Sequence, residues 1–375
     1  MRDKIRIGII GVGQIGTHHL QNYAKIPAAQ VVAVADLFPE KIEAAKKNFG
    51  VPDGYADFKD LLAREDIDAV DVCVHNNKHN PLTVAALKAG KDVYCEKPMA
   101  GTYRDAAVML ETARALGRRL DIQIGTLFSI ETKAAKRLID EGHLGKLYYA
   151  RSYGFRRRGR PFVDGYGTAN FVDKSICAGG ALYDMGIYHI SNILYLLGNP
   201  EVKTITGATH QELEMYEDRR RFSNFSVEEM GLGWVRLAGG ISMDIEESWA
   251  MHHDGSESPK VCGSKGGVKL SPFSYFSSLG DMPMTSTFDL QASDTRWHAC
   301  FPDTDAYDSA QAHWVAALRG RVDLMPCAEI ALNTMLISEG IFLSSKLGRE
   351  VTADEVKDKS VSLAIDPYTP EKVWK

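Results

Sequence analysis

A chain of 375 residues is long enough for two ordinary hydrophobic cores, so we expect two domains. The formal net charge of −5 and the 25% of charged residues give no basic excess of the kind that nucleic-acid binding requires. No window reaches the roughly 20 uninterrupted apolar residues of a membrane span, so the composition predicts a globular protein that binds neither nucleic acid nor membrane.

The first third of the chain alternates short apolar runs, which are typical of buried strands, with amphipathic stretches that predict helices. The predicted strands are 5–10, 31–36, 69–74, 92–95 and 120–124, and the predicted helices are 15–26, 39–49, 81–88 and 103–116. Strands that take turns with helices predict a doubly wound parallel sheet, that is, an α/β Rossmann domain. The first strand begins within a few residues of Met1, which leaves no room for a leader peptide, so we expect a cytoplasmic protein.

Beyond a helix at 129–142 the segments become longer and alternate polar with apolar residues, as strands with one wet face do. They lie at 146–153, 202–209, 227–237, 241–249 and 267–270, and two helices follow at 307–318 and 327–346. The pattern predicts an α+β C-terminal domain with an open, mainly antiparallel sheet. We place a dinucleotide-binding Rossmann domain at residues 1–126 and a domain for substrate binding and oligomerisation at residues 127–375. An exposed sheet face would suit the pairing of subunits, so we expect a homo-oligomer.

The loop after the first strand has the G-x-G-x-x-G spacing of a dinucleotide-binding fingerprint, Gly11-Val12-Gly13-Gln14-Ile15-Gly16. The three glycines allow a tight turn, a close approach of the backbone to a pyrophosphate, and close helix–strand packing, and the helix that follows can hold phosphate at its N-terminus. Asp36 lies 20 residues after the last glycine and is predicted to accept hydrogen bonds from the adenosine ribose. Because Leu37 offers no cation for a 2′-phosphate, NAD is favoured over NADP.

Metal-ligating residue types are not grouped in the sequence. The six cysteines are scattered and form none of the close pairs of a zinc site or a redox dithiol. His18 and His19 lie on the predicted fingerprint helix, and the adjacent His252 and His253 point in different directions. We therefore predict that no metal is required.

Several further motifs, in order along the chain, resemble one known family. Glu-Lys-Pro occurs in Gly90-Lys91-Asp92-Val93-Tyr94-Cys95-Glu96-Lys97-Pro98, and Asn76 and His79 fall where that family has a Thr-Pro-Asn-x-x-His loop. Two more motifs lie at 142–146 and 179–189. By these motifs the chain resembles the glucose-fructose oxidoreductase, inositol dehydrogenase and rhizopine catabolism (Gfo/Idh/MocA) family, although Val74-His75 replace the Thr-Pro of the loop.

The resemblance implies reversible hydride transfer between a carbon of a sugar or cyclitol and a nicotinamide, in a cleft between the Rossmann domain and the open sheet. It implies cofactor contacts from Asn76, His79, Glu96 and Lys97. Lys97 directly follows a buried strand, where doubly wound folds build their sites, and is predicted to be a catalytic base or an electrostatic helper. In a cleft closed by substrate, burial of its amine is expected to lower its pKa.

Tyr188 is the first choice for the general acid or base. It lies four residues after Asp184, so the two side chains share a helix face, whereas His189 is rotated further round. Inositol-dehydrogenase-like members of the family have histidine at the position of Tyr188, and tyrosine there resembles the glucose-fructose oxidoreductase and dihydrodiol dehydrogenase branch. A nearby lysine is expected to lower the pKa of the phenol. His189 is the second choice, and Asp184 is predicted to orient hydroxyls, to cap the helix, or both.

The stretch 155–174 mixes glycines, aromatic residues, cations and amides without periodicity, which is typical of a loop that lines a polar cleft. The predicted substrate contacts are Arg158, Asp164, Tyr166, Asn170, Asp184 and His189. A basic surface loop that contacts the cofactor or a neighbouring subunit is the alternative. An Arg-Arg-x-Gly-x-Pro loop resembles that of dehydrogenases acting on sugars and glycosides, which favours a pyranoside oxidised at C3 as the substrate.

Two other functions stay open at this point. One is a glycosidase that keeps NAD bound and cleaves by transient oxidation and elimination. The other is a regulator that senses NAD without catalysis, against which the intact Glu96-Lys97-Pro98 weighs.

Overall fold

The computed structural model describes residues 4–369, and its first unit is built on one parallel sheet. Strands β1 to β6 of this sheet are Ile5–Ile10, Ala29–Ala35, Asp53–Tyr55, Ala69–Val72, Asp92–Cys95 and Leu120–Ile122. Helices α1 to α5 are Gln14–Tyr23, Pro39–Phe49, Phe58–Leu62, Asn76–Lys88 and Tyr103–Ala115. The strand order β3-β2-β1-β4-β5-β6 confirms the predicted doubly wound fold, and it reverses direction beside β1, where such folds bind their ligands.

Helix α4 begins at Asn76, five residues before the Pro81 at which the sequence predicts its start. Proline is favoured in the first turn of a helix, but here it lies in the second turn. Because Pro81 has no N–H, it leaves the carbonyl of Asn77 without its helical partner. The backbone N–H of Ile365, from the far end of the chain, donates to that carbonyl at 3.0 Å, so a distant segment replaces the missing bond.

The second unit is built on a nine-stranded sheet. Strands β7 to β15 are Leu147–Phe155, Val202–His210, Met230–Leu237, Ile241–Ser248, Lys260–Gly263, Gly267–Leu270, Phe273–Leu279, Met282–Ser286 and Val351–Thr352. Their order is β14-β13-β12-β11-β7-β10-β9-β8-β15, in which β7 and β10 are parallel and the other pairs are antiparallel. The predicted open, mainly antiparallel sheet is thereby confirmed.

Helices cover one face of this second sheet. Helices α6 to α13 are Ile130–Asp140, Lys174–Cys177, Ile187–Leu196, Glu217–Ser223, Leu290–Cys300, Ala310–Leu318, Cys327–Leu347 and Ala353–Lys359. Within the described part of the chain, α12 is the one helix long and apolar enough to span a membrane, and 67% of its most apolar window is buried inside the protein. A helix that is apolar all round and packed in this way forms part of the core.

Candidate active site

A cleft of about 580 Å³ lies where the carboxyl ends of the parallel strands meet the second unit. A cavity of this size is within the range of small-molecule and cofactor sites. The first unit contributes the fingerprint loop with Gln14 and Ile15, and also Asp36, Asn76, Glu96, Lys97 and Pro98. The second unit contributes Tyr166, Asn170, Gly179, Asp184, Tyr188 and Trp249. Most of the predicted cofactor residues are therefore brought together with the predicted catalytic ones.

The glycine loop has the shape that a pyrophosphate requires. Gly11 has a φ of +90°, and a Cβ there would lie 2.3 Å from the carbonyl oxygen of Cys73. A Cβ at Gly16 would lie 2.0 Å from the carbonyl oxygen of Gly11, so neither position admits a side chain. At Gly13 the nearest atom to a Cβ, the Nζ of Lys41, is 3.9 Å away, which leaves the backbone open to an approaching phosphate.

Asp36 is held in place by the backbone of its own surroundings. Its Oδ2 accepts from the N–H of Val12 at 2.9 Å, and its Oδ1 accepts from the N–H of Phe38 at 3.0 Å. Each carboxylate oxygen has a further lone pair with which to accept a ribose hydroxyl. The Nζ of Lys41 lies 3.9 Å from Oδ1, a cation that the sequence analysis missed because it considered only the next residue. A 2′-phosphate would meet the fixed carboxylate, so the residues fit NAD.

The prediction that His79 contacts the cofactor needs correction. His79 is fully buried and does not line the cleft. Its ring nitrogens lie 2.7 Å from the carbonyl oxygen of Pro98 and 3.0 Å from that of Val74, so it supports two loops of the cleft from behind. Burial lowers its pKa by more than the two carbonyl contacts raise it. Asn76 does line the cleft, and its Nδ2 donates to the carbonyl of Cys177 at 2.7 Å, which ties the two units together.

Glu96 is connected to the fingerprint helix through His19, which is fully buried. The Nε2 of His19 lies 2.8 Å from Oε1 of Glu96, and its Nδ1 lies 2.7 Å from Oδ2 of Asp71. Burial opposes a charge on this ring, but the carboxylate of Asp71 outweighs it and raises the pKa of His19. Burial likewise opposes a charge on Glu96, yet the bond from His19 holds its pKa below the ordinary value. Glu96 is thus ionised next to Lys97, which the sequence did not reveal.

Three potential metal ligands come together around the buried His19. One ligand atom each of His19, Asp71 and Cys73 lies within 4.8 Å of the others in the core. Both ring nitrogens of His19 are already used by carboxylates.

The Nζ of Lys97 lies 3.2 Å from Oδ1 of Asp184 and 3.1 Å from the backbone oxygen of the same residue. It also lies 4.7 Å from the centre of the Tyr188 ring, within the range of a cation–π contact. The prediction of a lowered lysine pKa is wrong. Burial does lower it, but the negative charges of Asp184 and Glu96 outweigh burial and raise the pKa of Lys97. The ammonium form is therefore the resting form.

Asp184 is half-buried among donors. Its Oδ2 accepts from Nε1 of Trp249 at 2.9 Å, and a guanidinium nitrogen of Arg156 lies 3.6 Å away. Burial opposes ionisation, but Lys97 and the Trp249 N–H outweigh it and lower the pKa of Asp184. The predicted role as a helix cap is wrong, because Asp184 lies inside a π-helical turn, Leu182–Gly186, that leads into α8. Trp249 and Arg156 are site residues that sequence reasoning missed.

Tyr188 lies where the cleft meets a second cavity of about 610 Å³ and lines both. The expectation of a lowered phenol pKa is wrong. Burial raises the pKa of Tyr188 by more than the ammonium of Lys97 lowers it. His189 lines only the second cavity and is absent from the cleft that holds Asp184 and Lys97. Tyr188 thus borders both cavities, whereas His189 borders the second cavity alone.

Asp164 and Arg158, two of the predicted substrate contacts, pair with charged residues of their own loop instead. The Asp164 side chain is 5% exposed, and its carboxylate accepts from the Arg160 guanidinium at 2.9 Å. Arg158 is exposed and lies 3.4 Å from the same carboxylate. Tyr166 and Asn170 do line the cleft. The Tyr166 hydroxyl donates to the carbonyl of Gly159 at 2.7 Å, and burial raises its pKa to about 12.

The end of the described chain, residues 360–369, crosses back over the first unit, and we call it the C-terminal strap. Pro367 of the strap lines the cleft at the end that holds Leu37 and Phe58. The hydroxyl of Tyr368 donates to Oδ1 of Asp57 at 2.7 Å, and its ring centre lies 5.4 Å from that of Phe58. The strap therefore closes the cleft at the ribose end, which no sequence pattern indicated.

The fold and the site together define a nicotinamide-dinucleotide-dependent oxidoreductase. A model of the oxidoreductase family with an NAD-binding Rossmann fold matches residues 5–124, and a model of the GFO/IDH/MocA C-terminal domain matches residues 132–269. D-glucoside 3-dehydrogenase of Escherichia coli K12 is 30% identical over 276 residues, which is 72% of this chain and 77% of that protein. The chain belongs to the Gfo/Idh/MocA family, as its motifs predicted.

Other relatives are of the same kind. Inositol 2-dehydrogenase of Salmonella typhimurium LT2 is 30% identical over 272 residues, 71% of this chain and 74% of that protein. Among solved structures, a levoglucosan dehydrogenase in complex with NADH and levoglucosan has a TM-score of 0.77 at 19% identity, covering 93% of this chain and 99% of that one. An NAD-binding oxidoreductase of Klebsiella pneumoniae has a TM-score of 0.79 at 22% identity, covering 94% and 99%. At this level of identity the solved structures support the fold.

The strap provides a testable expectation about cofactor release. We expect Tyr368→Ala to increase the dissociation rate of NADH by on the order of 10-fold, because the variant loses one hydrogen bond and one ring contact that hold the strap down. Stopped-flow fluorescence of bound NADH measures this rate. Val361→Ala is the matched control, since Val361 is in the same segment and 66% exposed. Equal dissociation rates in Tyr368→Ala and the wild type would show that the strap does not retain the cofactor.

Proposed function

We propose that this protein is an NAD-dependent dehydrogenase that oxidises a secondary alcohol of a sugar, glycoside or cyclitol to a ketone, with the C3 hydroxyl of a pyranoside as the leading candidate. One observation carries the proposal. Lys97, Asp184 and Tyr188 converge at the junction between the cofactor cleft and the second cavity. A substrate carbon at that junction would lie beside the cofactor while the remainder of the molecule occupies the second cavity.

When bound, NAD supplies the acceptor for the hydride that leaves the substrate carbon. The protein's own groups then act on the hydroxyl. The Lys97 ammonium and the Asp184 carboxylate orient it, and Tyr188 exchanges its proton. Since Lys97 and Tyr188 both have raised pKa values, their resting forms are acids, which suits reduction of a ketone. Oxidation uses Tyr188 as the phenolate, which the neighbouring ammonium stabilises.

The second cavity supports a substrate larger than a bare polyol chain. It combines aromatic side chains, Tyr153 and Phe155, whose rings stack at 6.5 Å, with the polar side chains of Arg156, His189 and Asn192. Sugar rings are bound by such combinations, with aromatic faces against C–H groups and polar groups on hydroxyls. The cavity therefore supports a glycoside with one ring at the junction and its substituent beyond.

A substrate screen tests the proposed function. The purified protein would be offered NAD with free pyranoses, alkyl and aryl glycosides and inositols, and NADH formation would be followed by absorbance. We expect NADH from a pyranoside, at a higher kcat/KM than from the corresponding free sugar. Release of sugar from a glycoside without net NADH would establish the glycosidase instead. Binding of NAD without turnover of any of these classes would favour the regulator.

We also propose that the protein is a cytoplasmic homo-oligomer that pairs through the open face of the second sheet. Helices α8 and α12 pack on the opposite face. The open face presents Trp234, which is 42% exposed, among polar and charged side chains that include Tyr149, Arg151 and Asp244. Aromatic residues and arginine are enriched at subunit interfaces, which supports this choice of face.

A further inference from the structure

A buried carboxylate holds His189 from behind. The Nδ1 of His189, on α8, lies 2.8 Å from Oε2 of Glu247, on β10. Glu247 is 0% exposed, and its Oε1 accepts from the hydroxyl of Ser152, on β7, at 2.8 Å. Three separate elements thus combine to fix one imidazole ring. None of these three residues takes part in the contacts of Lys97, Asp184 and Tyr188 described above.

The backbone around this pair is shaped to admit it. A Cβ at Gly154, on β7, would lie 2.1 Å from Oε2 of Glu247 and 2.6 Å from Nδ1 of His189. A Cβ at Gly186 would lie 3.2 Å from Cγ of Glu247. Any side chain at position 154 would therefore break the contact, so the glycine there makes room for the pair.

The contact with Glu247 decides which ring nitrogen of His189 is left to face the second cavity. A carboxylate oxygen is an acceptor, so Oε2 of Glu247 accepts from the Nδ1–H of His189. The Nδ1 and Cε1 side of the ring packs against β7, the side chain is 29% exposed, and His189 lines the second cavity. Nε2 is therefore the group that a ligand in that cavity would meet.

The charge on His189 follows from the groups that face it. Burial lowers its pKa, but the carboxylate of Glu247 outweighs burial and raises it. Arg156, on the segment that follows β7, opposes this charge, and Asp184, in the turn before α8, favours it. Ser152 and Gly154 bring no charge from β7, and Glu131 of α6 lines the same cavity. The raised pKa of His189 favours the imidazolium form, in which the Nε2–H is a donor.

We propose that His189, positioned by Glu247, donates a hydrogen bond from Nε2 to a substrate oxygen on a carbon next to the one that is oxidised, and so selects the hydroxyl pattern of the substrate. The inference rests on the proposed function, which places the reacting carbon at Tyr188. Because Tyr188 lines both cavities, the carbons adjoining the reacting one lie on the second-cavity side, beside His189. The ligand class is a ring with a free hydroxyl adjacent to the oxidised position.

The first test compares the best substrate of the screen with its two monodeoxy analogues, each lacking a hydroxyl next to the oxidised carbon. In the wild type we expect one analogue to lose about 10- to 100-fold in kcat/KM, the value of a hydrogen bond from a charged donor. In His189→Leu the full substrate should fall to the level of that analogue, and removing the hydroxyl should then cost nothing more. Equal losses on removing the hydroxyl from wild type and variant would overturn the proposal.

The second test isolates the positioning role of Glu247. Glu247→Gln keeps the shape but removes the negative charge, so the pKa of His189 falls. Since the donor exists only below that pKa, KM for the full substrate should begin to rise at a lower pH than in the wild type, with kcat little changed. Glu246→Gln is the matched control, because Glu246 is adjacent on β10 but pairs with Arg151 on the other face. Superimposable KM–pH profiles for Glu247→Gln and wild type would contradict the role.

NADH binding, measured by fluorescence, shows whether each variant is folded. Failure of the inference is distinguishable from failure of the proposed function. If no compound of the screen reduces NAD, the proposed function fails. If the wild type is active but the deoxy losses are the same with and without His189, only the selection by His189 fails.

Discussion

Lys97→Met is expected to lower kcat by roughly 10²- to 10⁴-fold, the range for loss of a group that takes part in proton transfer. The variant keeps a long side chain in the cleft but removes the ammonium that lies 3.2 Å from the Asp184 carboxylate and 4.7 Å from the centre of the Tyr188 ring. Without this cation the Asp184 charge is left with fewer partners, and the phenolate form of Tyr188 loses its stabilising neighbour. Steady-state kinetics at saturating NAD measure the loss.

NADH binding by Lys97→Met shows whether the variant has lost only turnover or also the binding of the cofactor. Lys97 lies at the junction, so we expect the dissociation constant of NADH in Lys97→Met to change by less than about 10-fold, far less than kcat. Lys88→Met, on the exposed end of α4, is the control for the general loss of a lysine. A variant that binds NADH normally and turns over within a few-fold of wild type would remove Lys97 from the proton-transfer step.

The strand–helix alternation was readable from the sequence because the central strands are buried on both faces and appear as apolar runs. Short elements were not readable. The strand Asp53–Tyr55 and the helix Phe58–Leu62 contain too few residues to show any periodicity. The start of α4 was misplaced because the partner of the Asn77 carbonyl, Ile365, lies at the other end of the chain. The sequence pattern therefore predicts the end of an element only where the hydrogen bonds that set it come from neighbouring residues.

The three proposed catalytic residues could be predicted because each is fixed by its local position in the chain. Lys97 follows a buried strand, and Asp184 and Tyr188 are neighbours on one helical surface, so each could be placed without knowledge of the tertiary structure. Arg158 was predicted as a substrate contact, but only the folded loop shows that Arg158 pairs with Asp164 and that Arg156 is the loop cation near Asp184. The irregular backbone of that stretch has no period from which a side-chain direction can be derived.

The directions of the pKa shifts were wrong for a physical reason. Sequence reasoning credited burial at Lys97 and the nearby cation at Tyr188, but a shift is the sum of burial and every close charge. The largest counter-charge on Lys97 comes from Asp184, which is 87 positions away in the chain. Likewise, Glu247 lies 58 positions from His189, so no residue near His189 in the chain indicates that a carboxylate supports that ring.

Tyr188→Phe is expected to lower kcat for oxidation by roughly 10²-fold or more, because it deletes the hydroxyl that exchanges the substrate proton and leaves the ring beneath Lys97. NADH affinity should stay close to that of the wild type. Tyr195→Phe is a matched control on the same helix, two turns further on, where the phenol lies outside both cavities. Parallel kcat measurements on the three proteins give the result.

The dependence of the oxidation rate on pH tests whether Tyr188 is the group that exchanges the substrate proton. Oxidation requires a deprotonated acceptor, and burial holds the pKa of Tyr188 above its ordinary value of about 10. The wild-type oxidation rate should therefore keep rising as the pH is increased into the alkaline range, while the rate of ketone reduction, which uses the protonated phenol, should fall over the same interval. In Tyr188→Phe both limbs should flatten. If the alkaline rise persisted unchanged in Tyr188→Phe, the titrating group would be Lys97, whose raised pKa places its deprotonation in the same direction, and Tyr188 would be reduced to packing beneath the ammonium.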